Sequence, residues 1–142
     1  MRSNRLLSPE NAALISNFAR YRVTGPGARA WLDALLANHM PHLPGRSCLA
    51  PLIGKRGGIA GDFTVTCLTA GDYFMVGSGM AEHYHKRFFD MVPLPEATTW
   101  RSATEAMAGF NVAGPLARDL LQGLTDADLS SAAFPFLRSA QI

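Results

Sequence analysis

The chain has 142 residues, of which 48% are hydrophobic, and its 13 basic and 11 acidic residues leave a net charge of +2. This composition can fill the hydrophobic core of one domain, and it excludes a disordered or fibrous chain. The basic residues are scattered along the sequence, so no nucleic-acid partner is expected. No membrane association is expected either, because no apolar run approaches the ~20 residues that span a bilayer.

The N-terminal residues 1–10 lack the apolar core of a signal peptide. The sequence therefore predicts a cytoplasmic chain, with the mitochondrial matrix as the alternative. Cys48 and Cys67 lack C-x-x-C spacing and are expected to be buried thiols. No metal site is predicted, since His83 and His85 point to different faces of a predicted helix, and surface or capping roles are expected for all four histidines.

The first recognisable unit is a strand over residues 18–23, a Gly25-Pro26 turn and an amphipathic helix that follows it. Its pattern, V-x-G-P-x-A-R-x-x-L-x-x-L, begins at Val23 and recurs from Val112. Each copy is typical of a strand, turn and helix in which the helix packs on a sheet. A ligand role for the two Gly-Pro turns is not favoured.

Between the two copies, alternating apolar residues predict strands near 48–53, 59–68 and 73–77. A glycine-rich turn over 54–58 separates the first two, and the short segment 70–72 makes the last two antiparallel neighbours. A helix near 80–91 and a strand near 97–102 follow.

This order predicts an α+β fold with an antiparallel, ferredoxin-like sandwich lobe over residues 45–104. Residues 16–44 and 105–142 are expected to form part of a second strand-helix lobe, which is incomplete. Residues 1–15 are expected to be an N-terminal extension.

Asp62 is the first candidate for chemistry. The alternation along 59–68 places Phe63, Val65 and Cys67 on one face of the strand and Asp62, Thr64 and Thr66 on the other. The next strand, residues 73–76, is apolar on both faces, and such strands are normally covered on both. The sequence therefore predicts that Asp62 faces a covered or ligand-filled space, with a solvent-facing carboxylate as the alternative.

Gly77-Ser78-Gly79 stands between a predicted strand and a predicted helix, where a dinucleotide fingerprint would lie. Glu82 occupies the position of the third glycine, and its charge would repel a pyrophosphate. A tight turn is predicted here instead of a cofactor site.

Several motifs in the same order resemble the aminomethyltransferase folate-binding family, whose fold is that of the glycine-cleavage T-protein. They are residues 16–21, the unit 23–36, the segment 49–65 containing Gly-Gly-Ile-Ala-Gly-Asp-Phe-Thr-Val, Gly77-Ser78-Gly79 and residues 128–137. Gly61-Asp62-Phe63 and Gly77-Ser78-Gly79 resemble the folate module of dimethylglycine and sarcosine dehydrogenases more than the T-protein.

The resemblance implies tetrahydrofolate as the cofactor, with FAD only in a separate domain of the dehydrogenases. It implies that Asp62 is the catalytic acidic residue beside the folate nitrogens that receive the one-carbon unit. The pterin and benzoyl channel would be lined by Phe18, Leu49, Phe74 and Val76, with Thr64 and Ser78 as polar neighbours.

The family continues past the position of Ile142, so the chain resembles the first part of the folate module. The expected partners are folate and the remaining part of that module or a flavin dehydrogenase domain, and the chain is not expected to turn over alone. Self-association is also expected, through open strand edges at 18–23 and 110–112 and through the segment around Phe134 and Phe136.

The leading functional prediction is a module for one-carbon transfer to folate, as part of a dehydrogenase that demethylates an N-methylated glycine such as dimethylglycine or sarcosine, or of an aminomethyltransferase. The alternatives are a non-catalytic folate-binding protein of the iron-sulfur-cluster maintenance type and an inactive truncated fragment.

Overall fold

The computed structural model describes residues 11–141. In chain order, its elements are β1 (Asn11–Leu14), β2 (Phe18–Thr24), α1 (Ala28–Leu35), β3 (Ser47–Ile53), β4 (Ile59–Thr69), β5 (Asp72–Gly79), α2 (Glu82–Phe89), β6 (Thr99–Ser102), β7 (Phe110–Ala113) and α3 (Ala117–Gln122). The strands predicted between the two repeat copies are confirmed within two residues at each end. No helix among the described residues is long and apolar enough to cross a bilayer.

The main sheet has five antiparallel strands in the order β3-β4-β5-β2-β6. The strands β6-β2-β5-β4, with α1 and α2 as connections, have the ferredoxin-like arrangement in which each helix links two strands separated by a third. β3 adds an edge strand beside β4. The predicted α+β class and the ferredoxin-like lobe are therefore confirmed.

The lobe boundary predicted at residue 45 differs from the observed sheet. β2 lies in the interior of the sheet, paired with β5 on one side and β6 on the other. The first strand and first helix of the ferredoxin-like unit thus come from residues 16–44, which the sequence pattern had assigned to a second lobe. The reason is physical: β2 pairs with strands some 50 and 80 residues away, and local periodicity does not encode such pairings.

One face of the main sheet, here called the inner face, is covered by α1 and α2. Trp31 and Leu32 of α1 and Phe89 of α2 are buried against Tyr21 and Phe63 from the strands. Phe89 is the centre of this cluster, with its ring centroid 5.0 Å from that of Tyr21 and 5.8 Å from that of Trp31. Edge-on ring contacts of this kind stabilise a core beyond the area that they bury.

The second repeat copy forms a smaller unit. β7 pairs with β1, a strand that the sequence analysis had placed in an N-terminal extension. The repeat prediction is confirmed, because Gly25 and Gly114 both adopt positive φ, and each carbonyl accepts a hydrogen bond from the first helical amide, that of Ala28 or Ala117. The copies differ in burial, however: α1 is packed on the sheet, whereas α3 has no buried residue.

Two local predictions need correction. Gly77-Ser78-Gly79 forms the last three residues of β5, and the chain turns only after it, at Met80 with φ of 57°. His85 is fully buried in the core rather than at the surface. Both cysteines are free thiols, as predicted; Cys67 is buried as expected, whereas Cys48 is only half-buried.

Candidate functional site

The outer face of the main sheet carries every residue that the sequence analysis assigned to the site. Strand alternation directs Asp62 and Thr64 of β4 away from the helices, while Phe63 and Val65 face the core. The register then aligns Leu49, Thr64 and Val76 in one row across β3, β4 and β5. Side chains in such a row are direct neighbours.

Five of the seven predicted residues line one depression of about 190 Å³, here called the Asp62 depression. They are Phe18, Asp62, Thr64, Val76 and Ser78, joined by Phe63 and Gly77. Leu49 lies beside Thr64 in the row but outside the depression, and it is 53% exposed. Phe74 lines a different depression, described below.

Asp62 is exposed, and among the described residues its carboxylate has no hydrogen-bond or ion-pair partner. The protein itself therefore does not cover this side chain. The neighbouring outer-face residues Phe74 and Val76 are half-buried. The doubly apolar pattern of β5 predicted that this face is fully covered, so the prediction is confirmed only in part. An unpaired carboxylate beside Phe18 and Val76 is free to accept a hydrogen bond or a proton from a ligand amine.

Glycines allow the core to approach the depression closely. A Cβ at Gly77 would lie 2.6 Å from Cε1 of Phe63, and one at Gly61 would lie 3.2 Å from Nε2 of His85. Gly61 precedes Asp62 and Gly77 precedes Ser78. The Phe63 and His85 rings therefore pack directly against the backbone that presents the two polar site residues.

His85 and Tyr21 form a buried pair beneath this backbone, with the Tyr21 hydroxyl 2.9 Å from Nδ1 of His85. Burial lowers the pKa of His85, opposed by the nearby Glu82 carboxylate. Burial, together with Glu82, raises the pKa of Tyr21 well above its usual range. Both groups are therefore neutral near pH 7, and the pair packs as part of the core.

This pair was not predicted, although the sequence contains a signal for it. His85 lies four residues before Phe89, so the two side chains share one face of α2. Because Phe89 is buried against the sheet, that spacing identifies His85 as a core residue.

A second depression of about 600 Å³, here called the arginine depression, lies on the outer face at the other end of β5. Its lining includes Phe74, Met107, Arg22, Arg101 and Asp72. The Arg22 guanidinium donates to both carboxylate oxygens of Asp72, at 2.9 and 2.5 Å. Within residues 11–141, no group of three or more potential metal-ligating side chains comes together.

A family model, several related sequences and a solved structure of the same type of protein all match this chain. The family model described as the GCVT N-terminal domain matches residues 11–142. The mitochondrial sarcosine dehydrogenase of Mus musculus is 28% identical over 137 residues, covering 86% of this chain and 15% of that protein. The aminomethyltransferase of Thermus thermophilus is 33% identical over 119 residues, covering 82% of this chain and 34% of that protein.

The fold has a solved counterpart in the glycine cleavage system aminomethyltransferase T of Bartonella henselae, with a TM-score of 0.73 at 19% sequence identity. That match covers 82% of this chain and 32% of the other, and at this identity it shows the shared fold alone. The chain spans about a third or less of the curated relatives described above. Because the family model covers nearly all of the sequence, the chain belongs to the GCVT N-terminal domain family of aminomethyltransferases.

Proposed function

We propose that this chain binds tetrahydrofolate on the outer face of the main sheet and takes part in one-carbon transfer to it. Family membership supports folate binding and one-carbon chemistry in general. The observation that carries the proposal to this chain is Asp62, an unpaired carboxylate in a depression that it shares with Phe18 and Val76. FAD, where such proteins use it, is expected in a separate domain.

The proposed donor is an N-methylated glycine that has been oxidised to a methylene-iminium ion. The relatives named sarcosine dehydrogenase support this choice over other donors. They give no support to the non-catalytic alternative of iron-sulfur-cluster maintenance.

In the proposed step, a ring amine of the folate attacks the iminium carbon, and a new C–N bond forms. The π electron pair of the iminium returns to its own nitrogen, which loses its positive charge. The proton of the attacking amine passes to the carboxylate of Asp62. Return of this proton to the donor nitrogen lets the bond between that nitrogen and the transferred carbon break, and the demethylated glycine leaves as an amine. A second folate nitrogen then attacks the methylene carbon and gives its own proton to Asp62. A carboxylate in this place also stabilises the ammonium that forms during attack.

The surroundings of Asp62 suit this role once a ligand is present. A folate ring lying on Val76 and Phe18 would cover the exposed carboxylate and remove water from it. Exclusion of water protects a reactive iminium from hydrolysis and strengthens the charge interaction with Asp62. Thr64 and Ser78, which line the same depression, supply hydroxyls for the polar edge of the ring.

The substitution Asp62→Asn tests the proposal, because it keeps the shape of the side chain and removes its charge. In the protein that carries this chain, we expect formation of methylenetetrahydrofolate to fall about 100-fold, the range for losing a positioned base. Folding should be unchanged, since Asp62 is exposed and has no partner among the described residues. Product formation is measured by its absorbance after stopped reactions.

Asp126→Asn is the matched control, because Asp126 is exposed and does not line the Asp62 depression. It should leave the rate as it is. A rate for Asp62→Asn equal to that of the control would remove Asp62 from the mechanism.

A further inference from the structure

Arg20 is a buried cation with no anion beside it. Its neighbour Tyr21 faces the core, so the Arg20 side chain lies on the outer face of β2, where the residue is only 4% exposed. A guanidinium stays charged when it is buried, and among the described residues no carboxylate forms an ion pair with it. Its Nε also has no hydrogen-bond partner there. A buried charge of this kind costs free energy, so stability does not explain Arg20.

The guanidinium lies between two segments of the chain. Nη2 of Arg20 donates to the carbonyl of Ser16, in the turn between β1 and β2, and at 3.3 Å to the carbonyl of Thr104, in the loop between β6 and β7. A Cβ at Gly109, at the end of that loop, would lie 2.8 Å from Nη1. The loop over residues 103–109 therefore covers the guanidinium, and the turn lies at its other side.

The loop is fixed to β2 without the help of the guanidinium. The amide of Ala103 donates to the carbonyl of Arg20 at 2.8 Å, and the amide of Arg20 donates to Oγ1 of Thr104 at 3.0 Å. The contact with the Thr104 carbonyl thus anchors the guanidinium to a fixed point. From this anchor, Arg20 holds the carbonyl of Ser16.

The turn that Arg20 holds forms part of the Asp62 depression. Phe18, at the end of the turn, lines the depression, and its amide donates to the carbonyl of Ile15 at 3.0 Å. The carbonyl of Asn17 accepts a hydrogen bond at 2.9 Å from the amide of Met80, just after the end of β5 that carries Ser78. A displacement of the turn would therefore move Phe18.

We propose that Arg20 is a positioning residue for folate binding, which fixes the turn between β1 and β2 and so keeps Phe18 in place as a wall of the Asp62 depression. Arg20 does not contact the folate, since it is covered by the loop and does not line the depression. The inference rests on the proposed function. A wall that is ordered before the ligand arrives loses less entropy on binding, which offsets the cost of the buried charge.

The substitution Arg20→Met separates positioning from stability, because methionine fills similar space without a charge or a donor. Removal of the unpaired charge should leave the urea unfolding midpoint unchanged or raise it. The affinity for tetrahydrofolate, measured by titration calorimetry, should fall about tenfold, because Phe18 is then ordered only when the ligand binds. Arg20→Lys restores a donor for the Ser16 carbonyl and should recover most of the affinity.

A double-mutant cycle with Phe18→Ala tests whether Arg20 acts through Phe18. If it does, Arg20→Met should not weaken tetrahydrofolate binding any further in the Phe18→Ala chain. Arg20→Gln, which keeps a shorter donor, supplies the same cycle if methionine at this position prevents folding. Arg87→Met is the matched control, since Arg87 is an exposed arginine on α2, on the other side of the sheet, and it should change neither affinity nor midpoint.

The outcomes separate this inference from the proposed function. An unchanged affinity in Arg20→Met, or an equal loss of affinity with and without the Phe18 ring, would overturn the positioning role and leave folate binding at Asp62 intact. Absence of tetrahydrofolate binding by the unchanged chain would overturn the proposed function and this inference together. A loss that disappears in the Phe18→Ala chain supports the role of Arg20.

Discussion

The buried Tyr21–His85 pair is the residue-scale feature with the largest consequence for stability. His85 is fully buried, its Nδ1 faces the Tyr21 hydroxyl, and its Nε2 has no hydrogen-bond partner among the described residues. A buried imidazole with one unsatisfied nitrogen costs free energy unless the packing around it compensates. Here Phe63 and Phe89 pack on the ring, with centroids 4.6 and 6.4 Å away.

This pair predicts acid sensitivity. Burial lowers the pKa of His85 below its ordinary value of 6.5, so the unfolded chain takes up a proton before the folded chain does. The contribution of neutral His85 to stability is therefore complete above pH 6.5 and is lost as the pH falls from there towards the lower folded pKa. Urea unfolding midpoints measured from about pH 8 to about pH 5 should show this loss.

Mutants of the pair separate the contribution of the Tyr21–His85 hydrogen bond from that of the packing of the two rings. His85→Phe alone leaves the Tyr21 hydroxyl buried without a partner and should destabilise the chain by about 1–3 kcal/mol. The double variant Tyr21→Phe, His85→Phe removes both polar groups, so it should recover most of that loss and flatten the dependence on pH. A double variant as unstable and as acid-sensitive as the single one would contradict this account.

At the scale of elements, Phe63 on β4 packs closely against Gly77 on β5. This contact connects the hydrophobic core to the Asp62 depression. Gly77→Ala places a methyl group 2.6 Å from Cε1 of Phe63 and 3.0 Å from Cε1 of His85. Both rings must move, at a cost of about 1–3 kcal/mol for overpacking. Because Phe63 lines the Asp62 depression, folate binding should weaken as well.

Gly58→Ala is the matched control for this prediction. A Cβ at Gly58 meets nothing within 4 Å, and its φ is not in the left-handed region. Its unfolding midpoint and folate affinity should stay close to those of the unchanged chain. If Gly77→Ala behaves like the control, the glycine is not required for the contact between core and site.

The elements that could be predicted from sequence are those with local signals. Alternation placed β3, β4 and β5, and it assigned Asp62 and Thr64 to one face, which is why five site residues meet at one depression. The position of β2 inside the sheet depends on pairings with β5 and β6, and no local pattern contains them. Alternation also places Phe74 and Val76 on the same face of β5, so it does not reveal that Phe74 lies outside the Asp62 depression.

At the scale of the whole molecule, the two faces of the main sheet differ in what they contact. The inner face, with α1 and α2, forms the hydrophobic core. The outer face holds both depressions and the charged residues Asp62, Arg22 and Arg101. Substitution of an exposed outer-face residue that has no partner among the described residues, such as Asp62, should therefore have little effect on folding.

The strand edges also differ across the molecule. The edge strand β3 contains Pro51, and its carbonyls at Leu49 and Pro51 accept hydrogen bonds from Asn38 and Ala37. Proline and covering loops are common means of protecting a sheet edge. β2, whose edge was expected to be open, is paired on both sides, so it cannot drive self-association.

Self-association is therefore predicted to involve the unit formed by β1, β7 and α3. Among residues 11–141, each strand of this two-stranded sheet is paired on one side only, and a pair of strands is marginally stable by itself. Large apolar side chains of these elements, and one just after α3, are exposed: Leu14 67%, Phe110 67%, Leu120 45% and Leu124 73%. Contact with a second copy of the chain would remove these groups from water and pair the open edges.

Light scattering over a concentration series tests this prediction, with an apparent mass that rises with concentration as the expected result. Leu124→Lys should shift the association to higher concentration by introducing a charge into the apolar surface. Ile59→Lys is the matched control, because Ile59 is also 73% exposed but lies at the start of β4, and it should leave association as it was. If the unchanged chain stays monomeric at high concentration, or if both variants behave alike, the β1, β7 and α3 unit is not an association surface.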